Sequence, residues 1–401
     1  MNFLHFFREI SRNRQRYIAI LFLVLLLLGF HLHFVYTPKS AFPIIDLGSR
    51  TYSTDLRSGD GRCDSKDCIV TLYSDFSAVE FSYMIDLLSL VKQFCNCRVE
   101  LRARVHFCED LISGRINCAA ILHATAQASK DEEDAMRANE EKSHLNVILF
   151  HLSDEHEKFA VSAYGLVKTV FRNYLAVSKD RVSDVSYLLL DDGGMVQNNS
   201  QKLWFPLGPG NFLTTPASIL NQPSQLRPIA WSWAGSVAGE KNVPREAFLK
   251  GVHSYKGEDL SKFGLLHVFR DFLDSNGLRP SEYSAWLYLS RVAPCPDGGS
   301  AEQFRIWEAF IAGAIPIVSA ARPHLAYLDQ LGFQVLCVKN WFEEPSPILH
   351  AAAFNSTFIA QLEKMRLHNL NVLNRTMQRL KKRIANEVCT ASVSSSSLQR
   401  T

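Results

Sequence analysis

The stretch Ser284–Val318, SAWLYLSRVAPCPDGGSAEQFRIWEAFIAGAIPIV, decides the fold. Ser284–Ser290 is an apolar run of strand length. A loop with Pro294, Pro296, Asp297, Gly298 and Gly299 follows it. Ser300 is a natural N-cap, and Gln303 lies three residues on, where a capping box places it. The spacing predicts a helix over 301–312, stopped by Gly313. Ile315–Val318 is the next strand. Strand, glycine-rich loop, helix and strand make one turn of a doubly wound α/β domain, whose ligands sit at the carboxyl ends of the strands. The loop is also an anion site: free backbone N–H groups and the positive helix end point the same way. A nucleotide diphosphate fits there, on Gly298, Gly299 and Ser300.

Arg305 and Glu308 lie three apart on that helix and share a face. Phe304, Ile306, Trp307, Phe310 and Ile311 cover much of the rest with apolar surface. Glu308 therefore belongs at the core edge or in a cleft, where a carboxylate can accept both hydroxyls of a ribose. The competing reading is a solvated Arg305–Glu308 ion pair, which is worth little.

Outward from this stretch the alternation continues. In the first half, Cys68–Phe76 and Leu145–Leu152 read as buried strands and Arg98–Phe107 as a period-two strand. Ala78–Phe94 has helical spacing, and a charged helix is expected from Thr125 to Glu141. Leu166–Tyr174 and Lys202–Phe205 are further strands. After a Pro-rich junction, Pro228–Trp233 is strand-like and Pro244–His253 helical. Phe263–Asn276 is read as a helix and Phe333–Val338 as a strand. Phe354–Ala385 is long, amphipathic and basic, hence helical. The expectation is two doubly wound, Rossmann-like α/β domains facing a cleft, at 63–225 and 226–389, with a polar tail at 390–401.

The N-terminus bears on the compartment. Tyr17–Tyr36, YIAILFLVLLLLGFHLHFVY, has no Asp, Glu, Lys or Arg. A spanning helix needs about 20 apolar residues, and no small-residue cleavage site follows, as a signal peptide requires. Arg8, Arg12, Arg14 and Arg16 precede the run, so the positive-inside rule puts residues 1–16 in the cytosol. The expectation is a type II transmembrane anchor at 17–36, a stem at 37–62 and a lumenal body. Of nine cysteines, six fall between Cys63 and Cys118. In an oxidising lumen they read as disulfides of undetermined pairing; buried thiols are the alternative. Sequons stand at Asn198, Asn355 and Asn374. With 43 basic and 40 acidic residues, nucleic acid is not an expected partner.

These residues carry a resemblance. Cys295-Pro296-x-Gly298, Phe304-Arg305-Ile306-Trp307-Glu308-Ala309 and Gly313-Ala314-Ile315-Pro316-Ile317-Val318 resemble the donor-binding segment of exostosin-type glycosyltransferases. They are more similar still to the C-terminal domain of the ribitol xylosyltransferase family. His151-Leu152-Ser153-Asp154-Glu155, Tyr164 and Val170-Phe171-Arg172-Asn173-Tyr174 resemble the family's first-domain segment. Phe205-Pro206-Leu207-Gly208 resembles its W-P-L-G element with Phe for Trp. Arg227-Pro228, Gly235-Ser236 and Val338-Lys339-Asn340-Trp341 follow in the same order. The resemblance spans roughly residues 145–345 and does not extend to Cys63–Cys118. The resemblance implies a GT-B fold, an inverting mechanism, no essential metal cofactor, a nucleotide-sugar co-substrate and a glycan or glycoprotein acceptor. It implies that Glu308 holds the donor ribose and that Arg305 lies near the donor. UDP-xylose is the donor it suggests, and the Golgi or endoplasmic reticulum membrane the address.

Inverting transfer needs a base for the acceptor hydroxyl and positive charge on the departing diphosphate. Arg245, in the first turn of the helix after Gly235-Ser236, is a candidate cation, unless it is a solvated surface residue. Glu155 is the first choice of base, with Asp154 or His156 as alternatives, because they follow the buried strand LNVILFHL at its carboxyl end. Asp154 as a helix N-cap competes with that. Arg172 is a candidate for fixing an acidic acceptor, against a core-edge salt bridge. Two rivals remain: an inactive transferase fold serving as a lumenal glycan-binding or chaperone-like module, and a single-pass adhesion protein.

Overall fold

The computed structural model describes residues 68–398, apart from 77, 79, 96, 126–127, 143–145, 153–161, 174–194, 198–199, 205, 211–212, 214–221, 238–242, 270–277, 299–301 and 321. The expected anchor at 17–36 and stem at 37–62 lie outside the described residues. Among the described residues no helix is long and apolar enough to cross a membrane.

The first sheet is built from β1 (Ile69–Ser74), β2 (Arg98–Ala103), β3 (Ala119–Thr125), β4 (Asn146–Leu152), β5 (Thr169–Arg172), β6 (Met195–Gln197) and β7 (Ser200–Trp204). Its order is β2-β1-β3-β4-β5-β7-β6, parallel except for the β6–β7 hairpin edge. Between the strands run α1 (Phe81–Leu87), α2 (Val91–Cys95), α3 (Phe107–Ile112) and α4 (Lys130–Lys142). Both faces are covered, which is why β3 and β4 are almost continuously apolar. Val70, Leu72, Ile121, Ile148 and Phe150 pack on one face; Tyr73, Leu122, Val147 and Leu149 pack on the other.

The second sheet contains β8 (Ile229–Ser236), β9 (Gly264–Phe269), β10 (Ser290–Pro294), β11 (Ile315–Ser319) and β12 (Leu336–Val338), in the all-parallel order β12-β11-β10-β8-β9. Its helices are α5 (Val243–Ser254), α6 (Pro280–Leu289), α7 (Phe304–Ala312), α8 (Arg322–Leu331) and α9 (Pro345–Phe354). The two doubly wound α/β sheets expected from the alternation are therefore present.

A final helix, α10 (Ser356–Leu398), has 43 residues. At 1.5 Å per residue it is about 65 Å long, enough to cross both sheets. Leu362 and Met365 join the second core, and Leu380, Ile384, Ala385 and Val388 the first. Lys381 pairs with Asp86 at 2.7 Å, and Thr169 donates to Glu387 at 3.2 Å. A Cys95–Cys389 disulfide, 294 residues apart in sequence, ties its end to α2. Cys68 pairs with Cys118. The first cluster of cysteines is thus not self-contained, since one member is claimed by the C-terminal helix. That helix also runs on through most of the segment read as a polar tail.

Several expectations need correction. Ser284–Ser290 is the end of α6, and the strand begins only at Ser290. Pro280 opens that helix, and the Arg279 N–H bonds to Glu282 at 3.0 Å, a start signal the apolar run concealed. Phe263–Asn276 is not a helix: Gly264–Phe269 is the edge strand β9. Gly264 lies flat on the Trp231 ring, where any side chain would collide. β3 was overlooked because Ala119, Ala120 and Ala124 dilute its strand character. The strand at Arg98 ends at Ala103 and turns helical. Helix α7 starts at Phe304 with Gln303 as N-cap, so Gln303 does not reach back to a cap at Ser300. Gly299 and Ser300 lie outside the described residues. Gly313 does end the helix, in the left-handed conformation at φ 71°.

Candidate donor-binding site

In the second sheet β8 comes first in the chain, and its successors β9 and β10 lie on opposite sides of it. Strand order reverses there, so a crevice opens at the carboxyl ends of β8 and β10. Arg245, in the first turn of α5, donates through Nη1 to the Ser236 carbonyl at 2.9 Å. A Cβ built on Gly298 would run into Nη2 of the same guanidinium. The structure thus brings together Arg245 and Gly298, which the sequence separates by 53 positions. Arg245 is a half-buried residue clamped across the two strand ends, not a solvated surface group. Asp297 next door accepts from the Ser319 hydroxyl, and Trp341 Nε1 donates to that hydroxyl at 2.8 Å.

Glu308 is buried on α7. Its carboxylate accepts from the Gly210 N–H at 3.2 Å and from the Tyr283 hydroxyl. Burial raises its pKa, while the Tyr283 bond and the Arg305 charge pull it back down. The solvated ion-pair reading fails on this burial. Arg305 instead lies between aromatic faces, its guanidinium carbon 5.6 Å from the Trp233 ring and 5.5 Å from the Tyr283 ring. Such contacts hold a cation without neutralising it. Burial pushes the Cys295 thiol up to about 12, and Arg305, Glu308, Asp297 and Arg245 all act on it.

The linker after β7 closes the site. Leu207 N–H donates to buried Glu302 at 2.7 Å, three residues before Gly210 reaches Glu308. Gly208 has φ 72° and lies under the Tyr83 ring of α1. Only glycine combines that backbone conformation with no Cβ. The segment from Leu207 to Gly210 therefore couples α1 of the first half to Glu302 and to Glu308 of α7.

On the first-sheet side, Glu155, Asp154 and His156 lie outside the described residues. The strand before them ends at His151 and Leu152. His151 Nδ1 is 2.5 Å from the Tyr164 hydroxyl, to which Arg172 Nη1 donates at 2.9 Å. Arg172 is buried in this cluster of motif residues. Sequence reading missed Tyr283, Trp233, Gly210 and Glu302. Tyr283 had a signal, lying on the Pro280 helix 25 residues before Glu308; the other three act only through tertiary contact.

No protein-family model matches the chain. A ribitol-5-phosphate xylosyltransferase 1 from Danio rerio is 26% identical over 177 residues, covering 40% of this chain and 39% of the relative. The chain thus matches about two fifths of that relative's length. The similarity read above from the motifs and this relative point to the same family. Weak likenesses to solved structures also exist. A trehalose-6-phosphate protein from E. coli bound with UDP-2-fluoro glucose has TM-score 0.46 at 8% identity, covering 80% of this chain and 99% of that one. WaaG, a glycosyltransferase involved in lipopolysaccharide biosynthesis, has TM-score 0.43 at 11% identity, covering 80% and 99%.

Proposed function

We propose that this chain is a glycosyltransferase that moves a sugar from a nucleotide-sugar donor to a hydroxyl of a glycan or glycoprotein. The observation that carries the reading is the convergence of Arg245, Gly298, Arg305 and Glu308 at the switch point of the second sheet. The curated relative, itself named as a xylosyltransferase, supports it. Glu308 receives the donor ribose: each carboxylate oxygen has a second lone pair beyond the bonds to Gly210 and Tyr283. Gly298 lets the diphosphate approach the backbone, with Gly299 and Ser300 beside it. Arg245 and Arg305 stabilise the charge that develops as the diphosphate leaves. The base comes from the first sheet, where Glu155, Asp154 and His156 are the nominees of the sequence. We take the transfer to be inverting and independent of a metal cofactor.

The donor proposed is UDP-xylose. The body is proposed to be lumenal, in the Golgi or endoplasmic reticulum, tethered by residues 17–36. The Cys95–Cys389 bond supports an oxidising compartment. The test is a panel of UDP- and GDP-sugars offered to the purified full chain, read by thermal shift and by release of nucleotide. The expected result is stabilisation by UDP-sugars and turnover of UDP-xylose. No response to any nucleotide sugar would leave the inactive, glycan-binding reading in possession.

A further inference from the structure

The first sheet has a switch point of its own. β1 lies between β2, which follows it in the chain, and β3, so the crevice falls at the carboxyl ends of β1 and β3. Two polar side chains meet there, both buried: Ser74, the last residue of β1, and His123 on β3. They come one step past the Tyr73–Leu122 pair of the two strands. Ser74 Oγ is 2.7 Å from His123 Nδ1. Ser74 has one hydroxyl proton, and it donates to the Asp75 carbonyl at 3.2 Å. With that proton on the carbonyl, the oxygen is left to accept from the ring, which is the arrangement that has Nδ1 protonated.

In that tautomer the other nitrogen, Nε2, is a bare lone pair. It is buried and has no hydrogen-bond partner. A buried acceptor without a donor is destabilising, and an apolar side chain at 123 would fill the space without that penalty. Burial keeps the ring uncharged, lowering its pKa to about 4; Arg104 adds to the fall and Asp75 opposes it. The strand end is also tied to the donor side. Tyr83, on the helix that follows β1, covers Gly208, and Gly210 two residues on donates to Glu308. By contrast, His151 has its Nδ1 taken up by Tyr164.

We infer that His123, in place of Glu155, Asp154 or His156, accepts the proton of the acceptor hydroxyl through Nε2, with Ser74 as the positioning residue that holds the ring in its Nδ1–H tautomer. The inference rests on the transferase reading above. In the step, the acceptor O–H proton passes to Nε2 and the acceptor oxygen bonds to the anomeric carbon. The bond from that carbon to the diphosphate breaks, and its electron pair leaves with the diphosphate. The imidazolium later returns its proton to solvent. Ser74 keeps accepting from Nδ1–H throughout, and the Asp75 carboxylate favours the charged ring while it lasts.

The test compares the full chain with His123→Gln, Ser74→Ala and Glu155→Gln, using UDP-xylose as donor and water as acceptor. Losing a general base costs about 10²–10⁴-fold in rate. His123→Gln is expected to lose that much turnover while UDP-xylose binding is retained. Ser74→Ala is expected to lower kcat about tenfold, the worth of one lost hydrogen bond, with donor KM unmoved. Should His123→Gln fail to fold, nitrogen NMR of the histidine-labelled wild type decides. The signature expected is a protonated Nδ1 and a bare Nε2 on a ring that does not charge near neutral pH. Full turnover in His123→Gln, loss confined to Glu155→Gln, or a proton on Nε2 would each overturn the assignment. A wild type that binds UDP-xylose but shows these results spares the transferase reading; one that binds no nucleotide sugar sinks both.

Discussion

Consider Glu308→Ala beside Glu308→Gln. The carboxylate makes two internal bonds, to Gly210 N–H and the Tyr283 hydroxyl, and in the proposed complex two more, to ribose hydroxyls. A hydrogen bond to a charged group contributes about 1.5–3 kcal/mol. Removing both ribose bonds should therefore cost at least about 3 kcal/mol of donor affinity, on the order of 100-fold in Kd. Alanine also strands the Gly210 N–H and the Tyr283 hydroxyl, at about 1–3 kcal/mol each, so it destabilises the fold as well. Glutamine separates the two effects. Its amide oxygen can still accept from Gly210, but the bonds to ribose lose their charge-assisted half, leaving a deficit near 1.5 kcal/mol, or about tenfold. Isothermal titration of UDP into the three proteins, with a melting curve for each, reads both numbers. The pH dependence has a definite sign. Burial raises the Glu308 pKa, so the carboxylate protonates above the ordinary glutamate range and UDP affinity should fall on acidification through that raised value. The same shift means that ionising Glu308 lowers stability as pH climbs from the unfolded to the folded pKa. Unchanged UDP affinity in Glu308→Ala, with the protein folded, would refute the ribose role.

Other consequences follow from contacts that no sequence motif contains. Gly298→Ala puts a methyl where Arg245 Nη2 lies; because that is the tip of a flexible side chain, melting should not move while UDP affinity drops about tenfold, the worth of one displaced charged contact. Gly208→Ala meets the Tyr83 ring and a positive φ together, so it should lower the melting temperature by several degrees, for a loss of about 1–3 kcal/mol. Cys389→Ser opens a loop of 294 residues, for which chain entropy predicts a loss of about 6 kcal/mol. Reductant should destabilise that variant less than the wild type, because among the described residues only the Cys68–Cys118 bond is left to open.

The local signals were read well where chemistry and conformation coincide in a few adjacent residues. Gly313 stops a helix in any context, and the apolar run Val147–Leu152 permits little but a buried strand. The reading failed where local pattern was ambiguous. SAWLYLS is apolar on every face, so only Pro280 and Glu282, outside the run, reveal it as a helix end. GLLHVF became a strand because Gly264 can lie against Trp231, a contact 33 residues away in sequence. The site behaves the same way. Arg305 and Glu308 were legible because they share one helix, but the residues that define their roles come from elsewhere. Tyr283 and Trp233 hold Arg305 as a cation, and Gly210 turns Glu308 inward.

That division has a physical reason. A helix face is set by a period of 3.6 residues, whereas a strand-end crevice is set by the order in which strands pair. Strand order places Ser236 beside Gly298, and Ser74 beside His123, without any motif recording either neighbour. The two switch points are also not independent. Tyr83 leaves the β1 end to cover Gly208, and Gly210 then grips Glu308. Donor contacts at α7 are thus connected, through the Gly208–Gly210 linker and α1, to the strand that ends at Ser74. A substitution at Tyr83 should accordingly disturb both donor affinity and turnover. Tyr83→Ala empties the space over Gly208 and deletes a buried ring, a change worth about 3–5 kcal/mol for a large aromatic. Tyr83→Phe keeps the ring and removes only the hydroxyl, which donates to Met377 Sδ at 3.8 Å. If coupling runs through the ring, Tyr83→Phe retains both UDP affinity and UDP-xylose turnover, and Tyr83→Ala weakens both together. Loss of one function without the other in Tyr83→Ala, at a temperature where the protein stays folded, would show that the two strand ends act separately.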